Sequence, residues 1–168
     1  MMHYKRLFFS FLVCSFTFSH FAYSITRKQK EDLIKELTGK DYLSAAEIHA
    51  YSAVVGFYQS NDLKKLKTST DQFVHRFPLS PFSDNALYLV GKLALEKNNY
   101  TTAIKYFSQI EQQYNSSNKN VSAQFAKAIT YKKMNLPELA KSVFKNLKKQ
   151  YPGSSEAILA DSELRLLK

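Results

Sequence analysis

Asn61, Asn98 and Asn135 are spaced thirty-seven residues apart, and each opens a segment of equal length: NDLKKLKTSTDQFVHRF, NNYTTAIKYFSQIEQQY and NLPELAKSVFKNLKKQY. The second and third segments coincide at Ala103/Ala140, Phe107/Phe144, Gln113/Gln150 and Tyr114/Tyr151, with Ile110 matched by Leu147. The first diverges most, although Phe73 and Phe77 fall on Ile110 and Tyr114. A unit of this length cannot bury an apolar face alone. Repetition at fixed period therefore means that neighbours stack on one another, as in a solenoid.

The units are helical. Gly and Pro are scarce, and segments rich in Ala, Leu, Lys, Gln and Glu carry apolar residues at i, i+3, i+4 and i+7. This periodicity predicts helices near 28–37, 44–60, 62–77, 83–97, 100–114, 120–134, 137–150 and 154–167. Each repeated Asn lies between two of them, where the first helix must end on a left-handed residue; after Gly, Asn tolerates that conformation best. Pro137 then suits the first turn of the following helix, where its missing N–H is not needed. Ala103 and Ala140 are small where helices cross closely, while Phe107, Phe144, Ile110 and Leu147 supply buried bulk.

The head of the chain reads differently. A basic start with Lys5 and Arg6, the apolar run Leu7 to Phe18 and the small-x-small site Ala22-Tyr23-Ser24 form a secretory signal peptide over 1–24. The run is shorter than the roughly 20 apolar residues a bilayer span needs. Cleavage after Ser24 leaves a periplasmic mature chain with no transmembrane span. The alternative is a lipoprotein signal using Cys14, which Val13 disfavours because a small residue normally precedes a lipidated cysteine. Removing the signal leaves 22 Lys+Arg against 14 Asp+Glu, a net charge of +8, and no cysteine. Neither a disulfide nor a thiolate site is then available, so an apolar core must hold the fold.

The repeats resemble the tetratricopeptide repeat, usually of period 34, with a small residue at its eighth position, alanine at the twentieth, an aromatic at the twenty-fourth and proline at the thirty-second. With Glu47, Asp84 and Val121 as first positions, these fall on Val54, Gly91 and Ala128; Leu66, Ala103 and Ala140; Thr70, Phe107 and Phe144; and Pro78, Asn115 and Pro152. The second and third copies fit and the first is degenerate. The resemblance implies an all-α, right-handed solenoid of three hairpins over 44–168: repeats at 47–82, 84–119 and 121–156, then a C-terminal cap at 157–168. A short N-terminal helix and linker fill 25–43.

The phrases HRFPLSPFSDNALYLVGKLALEKNNYTTAIKYF and KKQYPGSSEA are further similar to the periplasmic Tol-Pal-associated cell-division coordinator family, over Asp71 to about Leu167. That resemblance implies a scaffold for envelope protein partners, Tol-Pal or wall-synthase components among them, acting in envelope constriction. Outer-membrane assembly lipoproteins use similar phrases, which leaves an assembly accessory as the alternative, with a cell-wall-binding or peptidoglycan-enzyme partner as another. The coordinator's trimerising coiled coil is not carried over, because RKQKEDLIKELTGK places only Leu33, Ile34 and Leu37 on one side.

Catalytic chemistry is not evident. After signal removal only His49 and His75 remain, neither in a metal-ligand spacing, and no glycine-rich phosphate loop appears. No enzyme activity, cofactor or metal is expected. Ser80, Ser83, Ser116 and Ser117 fall in inter-repeat turns, where small polar residues cap helices. The Asn-x-Ser/Thr triplets at Asn99, Asn115 and Asn120 follow from turn composition. Lys127, Lys132, Lys133, Lys141, Lys145, Lys148 and Lys149 crowd the third repeat into an electropositive end. Export points that charge at anionic envelope partners rather than nucleic acid.

In the tetratricopeptide fold the first helix of each repeat lines a concave groove with its second, fifth, ninth, twelfth and thirteenth positions. By resemblance these include Tyr51 and Tyr58, then Asn85, Tyr88 and Lys92, then Ser122, Phe125, Ile129, Lys132 and Lys133. Tyr51, Tyr88 and Phe125 recur at the fifth position and are expected to align as an aromatic ladder, edged by Lys92, Lys132 and Lys133. The final helix is expected to cap the third hairpin through Ile158, Leu159, Leu166 or Leu167.

Overall fold

The computed structural model describes residues 44–167. The signal peptide, Cys14 and the helix expected at 28–37 lie outside the described residues. Within them the chain forms seven helices and no strand: α1 (Ala45–Gln59), α2 (Leu63–Arg76), α3 (Ser83–Glu96), α4 (Tyr100–Gln113), α5 (Asn118–Lys133), α6 (Pro137–Gln150) and α7 (Ser155–Leu166). All fall within two residues of the expected spans. The α5 helix starts two residues early because the Ser117 side chain caps it, accepting from the Lys119 N–H at 3.1 Å. Ser44 and Ser154 likewise cap α1 and α7.

Asn61, Asn98 and Asn135 have φ of 59°, 58° and 58°, the only positive values at non-glycine residues among those described. Each closes its hairpin in the same way. The N–H of the following residue reaches back five positions, Asp62 to Phe57 O, Asn99 to Ala94 O and Leu136 to Tyr131 O, at 2.8–3.1 Å. Each Asn N–H also bonds three positions back. This is the paired Schellman arrangement, which satisfies the last carbonyls of a helix. Asn98→Ala is expected to cost about 1–2 kcal/mol, because Cβ disfavours the left-handed region, whereas Asn98→Gly retains stability. Urea unfolding of both variants checks this.

Consecutive helices pack as antiparallel hairpins, and each first helix also meets the next: α1 on α3, α3 on α5, α5 on α7. The second helices α2, α4 and α6 do not approach one another through their backbones. A layer of first helices therefore carries the solenoid, with second helices ranked along one side.

The core follows the repeat. Ala103, Ala140, Phe107, Phe144, Ile110 and Leu147 are all fully buried. Eighth and twenty-fourth positions compensate in size. A Cβ on Gly91 would stand 2.5 Å from the Phe107 ring, so the second repeat pairs the largest group with none. The third pairs Ala128 with Phe144, and the first pairs Val54 with Thr70. Thr70 Oγ1 has no hydrogen-bond partner, and Phe73 supplies the ring that Thr70 lacks, lying 5.6 Å from Tyr51.

The cap differs from expectation. The α7 helix belongs to the register of the first helices, Ala160 following Ala86 and Ala123 at thirty-seven-residue steps, all three fully buried. It packs through Ala157, Ala160, Leu164 and Leu167, so that Leu167 alone of the expected contacts is made, whereas Ile158, Leu159 and Leu166 face solvent. The expected face was wrong because the two small alanines, not the large side chains, allow α5 and α7 to approach.

Candidate partner-binding site

The residues expected to line the groove are presented by the first-helix layer. The three fifth-position rings are half-buried, and each leans on its own hairpin: Tyr51 on Phe73 at 5.6 Å, Tyr88 on Phe107 at 5.8 Å and Phe125 on Phe144 at 5.6 Å. They do not form a continuous ladder. Among the described residues no ring pair joins Tyr51 to Tyr88 or Tyr88 to Phe125; instead a residue at the start of the next first helix comes against the ring. Phe82 stacks on Tyr51 at 4.4 Å with planes 10° apart, and Lys119, thirty-seven residues later, stands 5.4 Å from the Tyr88 ring centre. Asn85 donates to the Tyr51 hydroxyl, fixing the first ring against α3.

Lys92 stands 5.7 Å from the Tyr58 ring centre. The Tyr58 side chain holds the Lys92 ammonium above its ordinary value, so it stays charged at neutral pH. Burial pushes the Tyr88 hydroxyl up, against the pull of nearby Lys92, so it stays neutral. At the third repeat Lys132 pairs with Glu163 of α7 at 2.5 Å, while Lys133 is exposed at the end of α5. Ile129 is half-buried against the second core cluster. The cationic members of the face are thus Lys92 and Lys119 over rings, with Lys133 beyond them.

The wider basic end is less positive than its composition. Lys127 pairs with Glu111, Lys132 with Glu163, Lys141 with Glu138 and Lys148 with Asp161. Only Lys133, Lys145 and Lys149 of the seven lack an acid partner among the described residues. Hydrogen bonds from Lys148 and then Arg165 hold the Asp161 carboxyl below its usual range, and the Ser122 hydroxyl, donating at 2.6 Å, does the same for Glu156. The Lys148 and Ser122 bonds fasten α7 to the third repeat.

A polar cleft of about 510 Å³ lies between α4, α5 and α6, lined by Glu111, Asn120, Gln124, Lys127, Gln150 and Tyr151 among others. Asn120 is 3% exposed and donates to Asn115 O at 2.7 Å and to the Tyr151 hydroxyl at 2.9 Å. It is a structural clasp between repeats, which turn composition alone did not reveal. The equivalent junction one repeat earlier is joined by Tyr114 donating to Pro78 O at 3.0 Å, and by fully buried Tyr106 donating to Asp71 at 2.8 Å. Burial, and then the Asp71 bond, push the Tyr106 hydroxyl far up.

His49 and His75 do not come together with other ligands, and no cluster of three or more His, Cys, Asp or Glu suited to a metal occurs among the described residues. No described helix is long and apolar enough to cross a membrane. A comparison with curated proteins found no relative of this chain. Residues 85–117 and 122–154 each match the tetratricopeptide repeat, a module that suggests a protein-interaction scaffold.

Proposed function

We propose that this protein is an exported, periplasmic scaffold whose first-helix face grips a protein segment carrying acidic residues, in extended or helical form. The observation that carries this reading is the pairing of half-buried rings with cations along that face: Tyr58 with Lys92 and Tyr88 with Lys119. Aromatic anchors edged by positive charge suit an apolar segment flanked by carboxylates. Export rests on the signal-like head, and the resemblance of the repeats to the Tol-Pal-associated coordinator supports a partner among proteins of envelope constriction.

Two measurements on the same variants test the binding face. Tyr88→Ala and Phe125→Ala are expected to reduce partner capture at least tenfold, by an order-of-magnitude reading of an interface anchor, while costing less than the roughly 3–5 kcal/mol of a core aromatic, because one side of each ring already meets solvent. Capture is measured after cross-linking in cells, where Tol-Pal or wall-synthase components are the expected recoveries. Recovery of the barrel-assembly complex instead would sink the constriction reading. Loss of folding in both variants would sink the groove assignment.

A further inference from the structure

The two ends of the solenoid are complementary. At one end α7 leaves Ile158, Leu159 and Leu166 exposed at 69%, 52% and 73%. Leu159 stands where Ser122 stands in α5, and Ser122 reaches forward to Glu156 of the next first helix. Ile158 follows Val121, which packs into its own hairpin's core. The exposed apolar stripe of α7 therefore faces the place where a further repeat would stack.

At the other end α1 has no repeat before it among the described residues. The side of each later first helix that meets the preceding repeat is buried: Ser83, Ala86, Val90 and Leu93 in α3. The same register in α1 holds Ala46, His49, Ala53 and Gly56, of which only Ala53 is even half-buried. A Cβ on Gly56 would meet nothing within 4 Å. Beside it a cleft of about 500 Å³ runs between α1 and α2, with Ala53 and Phe57 in its lining and Lys64 and Lys65 among its charges.

We propose that α7 of one copy docks on the α1–α2 end face of a second copy, so that the chain self-associates head to tail. Large apolar side chains on α7 meet small ones on α1, continuing the first-helix contact already made three times within the chain. The acids of α7 take no part, since Glu156, Asp161 and Glu163 already engage Ser122, Lys148 and Lys132 of the third repeat, and the pairing rests on the apolar fit and the repeat register. This inference is independent of the groove reading.

The test is analytical ultracentrifugation of the protein as purified from cells, with one variant blocking each end. Wild-type mass is expected to rise with concentration, and Gly56→Arg and Leu166→Lys each to remain monomeric at every concentration. Their equimolar mixture is expected to form a dimer that grows no further, since one blocked end of each kind remains. Wild type that is monomeric throughout, Gly56→Arg that still pairs through two α7 helices, or a mixture that stays monomeric would each overturn the proposal. Both sites are exposed, so folding is retained; Ala46→Arg, on the same open side of α1, is a second block should Gly56→Arg unfold.

Discussion

Phe107→Ala is expected to lower the stability of the repeat domain by about 3–5 kcal/mol. The ring is fully buried, packs on Tyr88 and fills the space that Gly91 leaves by having no side chain. Collapse around the lost ring is limited because Gly91 has nothing to move inward. The loss is a large share of the ~5–15 kcal/mol typical of a domain. Urea unfolding followed by circular dichroism measures it, and a loss under about 1 kcal/mol would contradict this packing. The reciprocal variant sharpens the test. Gly91→Ala alone is expected to cost about 1–3 kcal/mol by overpacking. In a Phe107→Leu background that cost should shrink, giving a measurable coupling between the two positions.

Deleting Ser154–Lys168 is expected to lower Tm by about 10 °C, which corresponds to roughly 3–5 kcal/mol at the ~2–4 °C per kcal/mol usual for a chain of this size. The deletion uncovers the side of α5 and α6 on which Ala157, Ala160, Leu164 and Leu167 rest, and it removes the acids that engage Lys132, Lys148 and Ser122. Stacked repeats depend on terminal caps in this way. Differential scanning calorimetry and light scattering follow the two consequences, melting and aggregation. An unchanged Tm would mean that α7 is not a cap. Leu166→Ser, on the exposed side of the same helix, is expected to leave Tm unaltered at concentrations where the protein is monomeric and so separates capping from bulk hydrophobicity.

The architecture was legible because it depends on periodic and local signals. The three asparagines marked the hairpin turns through a backbone conformation that few residues accept, and the twentieth and twenty-fourth positions marked the helix crossings. What escaped depends on partners brought together by the fold. Which side of α7 is buried could not be read from hydrophobicity, since Ala157 and Ala160 are in and Ile158 and Leu166 are out. The electropositive end dissolved largely into ion pairs because Glu111, Glu163 and Asp161 lie 13–31 residues away from the lysines they meet. Asn120 looked like any turn residue until Tyr151 closed over it. For the candidate binding face, the sequence put the rings on first helices but did not reveal the side chains that come against them.

The two junctions between second helices are also built differently. Tyr106 of α4 ties directly to Asp71 of α2, whereas thirty-seven residues later the corresponding places in α6 and α4 are Val143 and Ser108, and the valine has no hydroxyl with which to make that bond. There the connections, Lys127 to Glu111 and Asn120 to Tyr151, run through α5 instead. Mechanically the first-helix layer acts as the spine of a leaf spring: a load reaches the outer edge of the second repeat straight from that of the first, but reaches the edge of the third only by way of the spine helix α5.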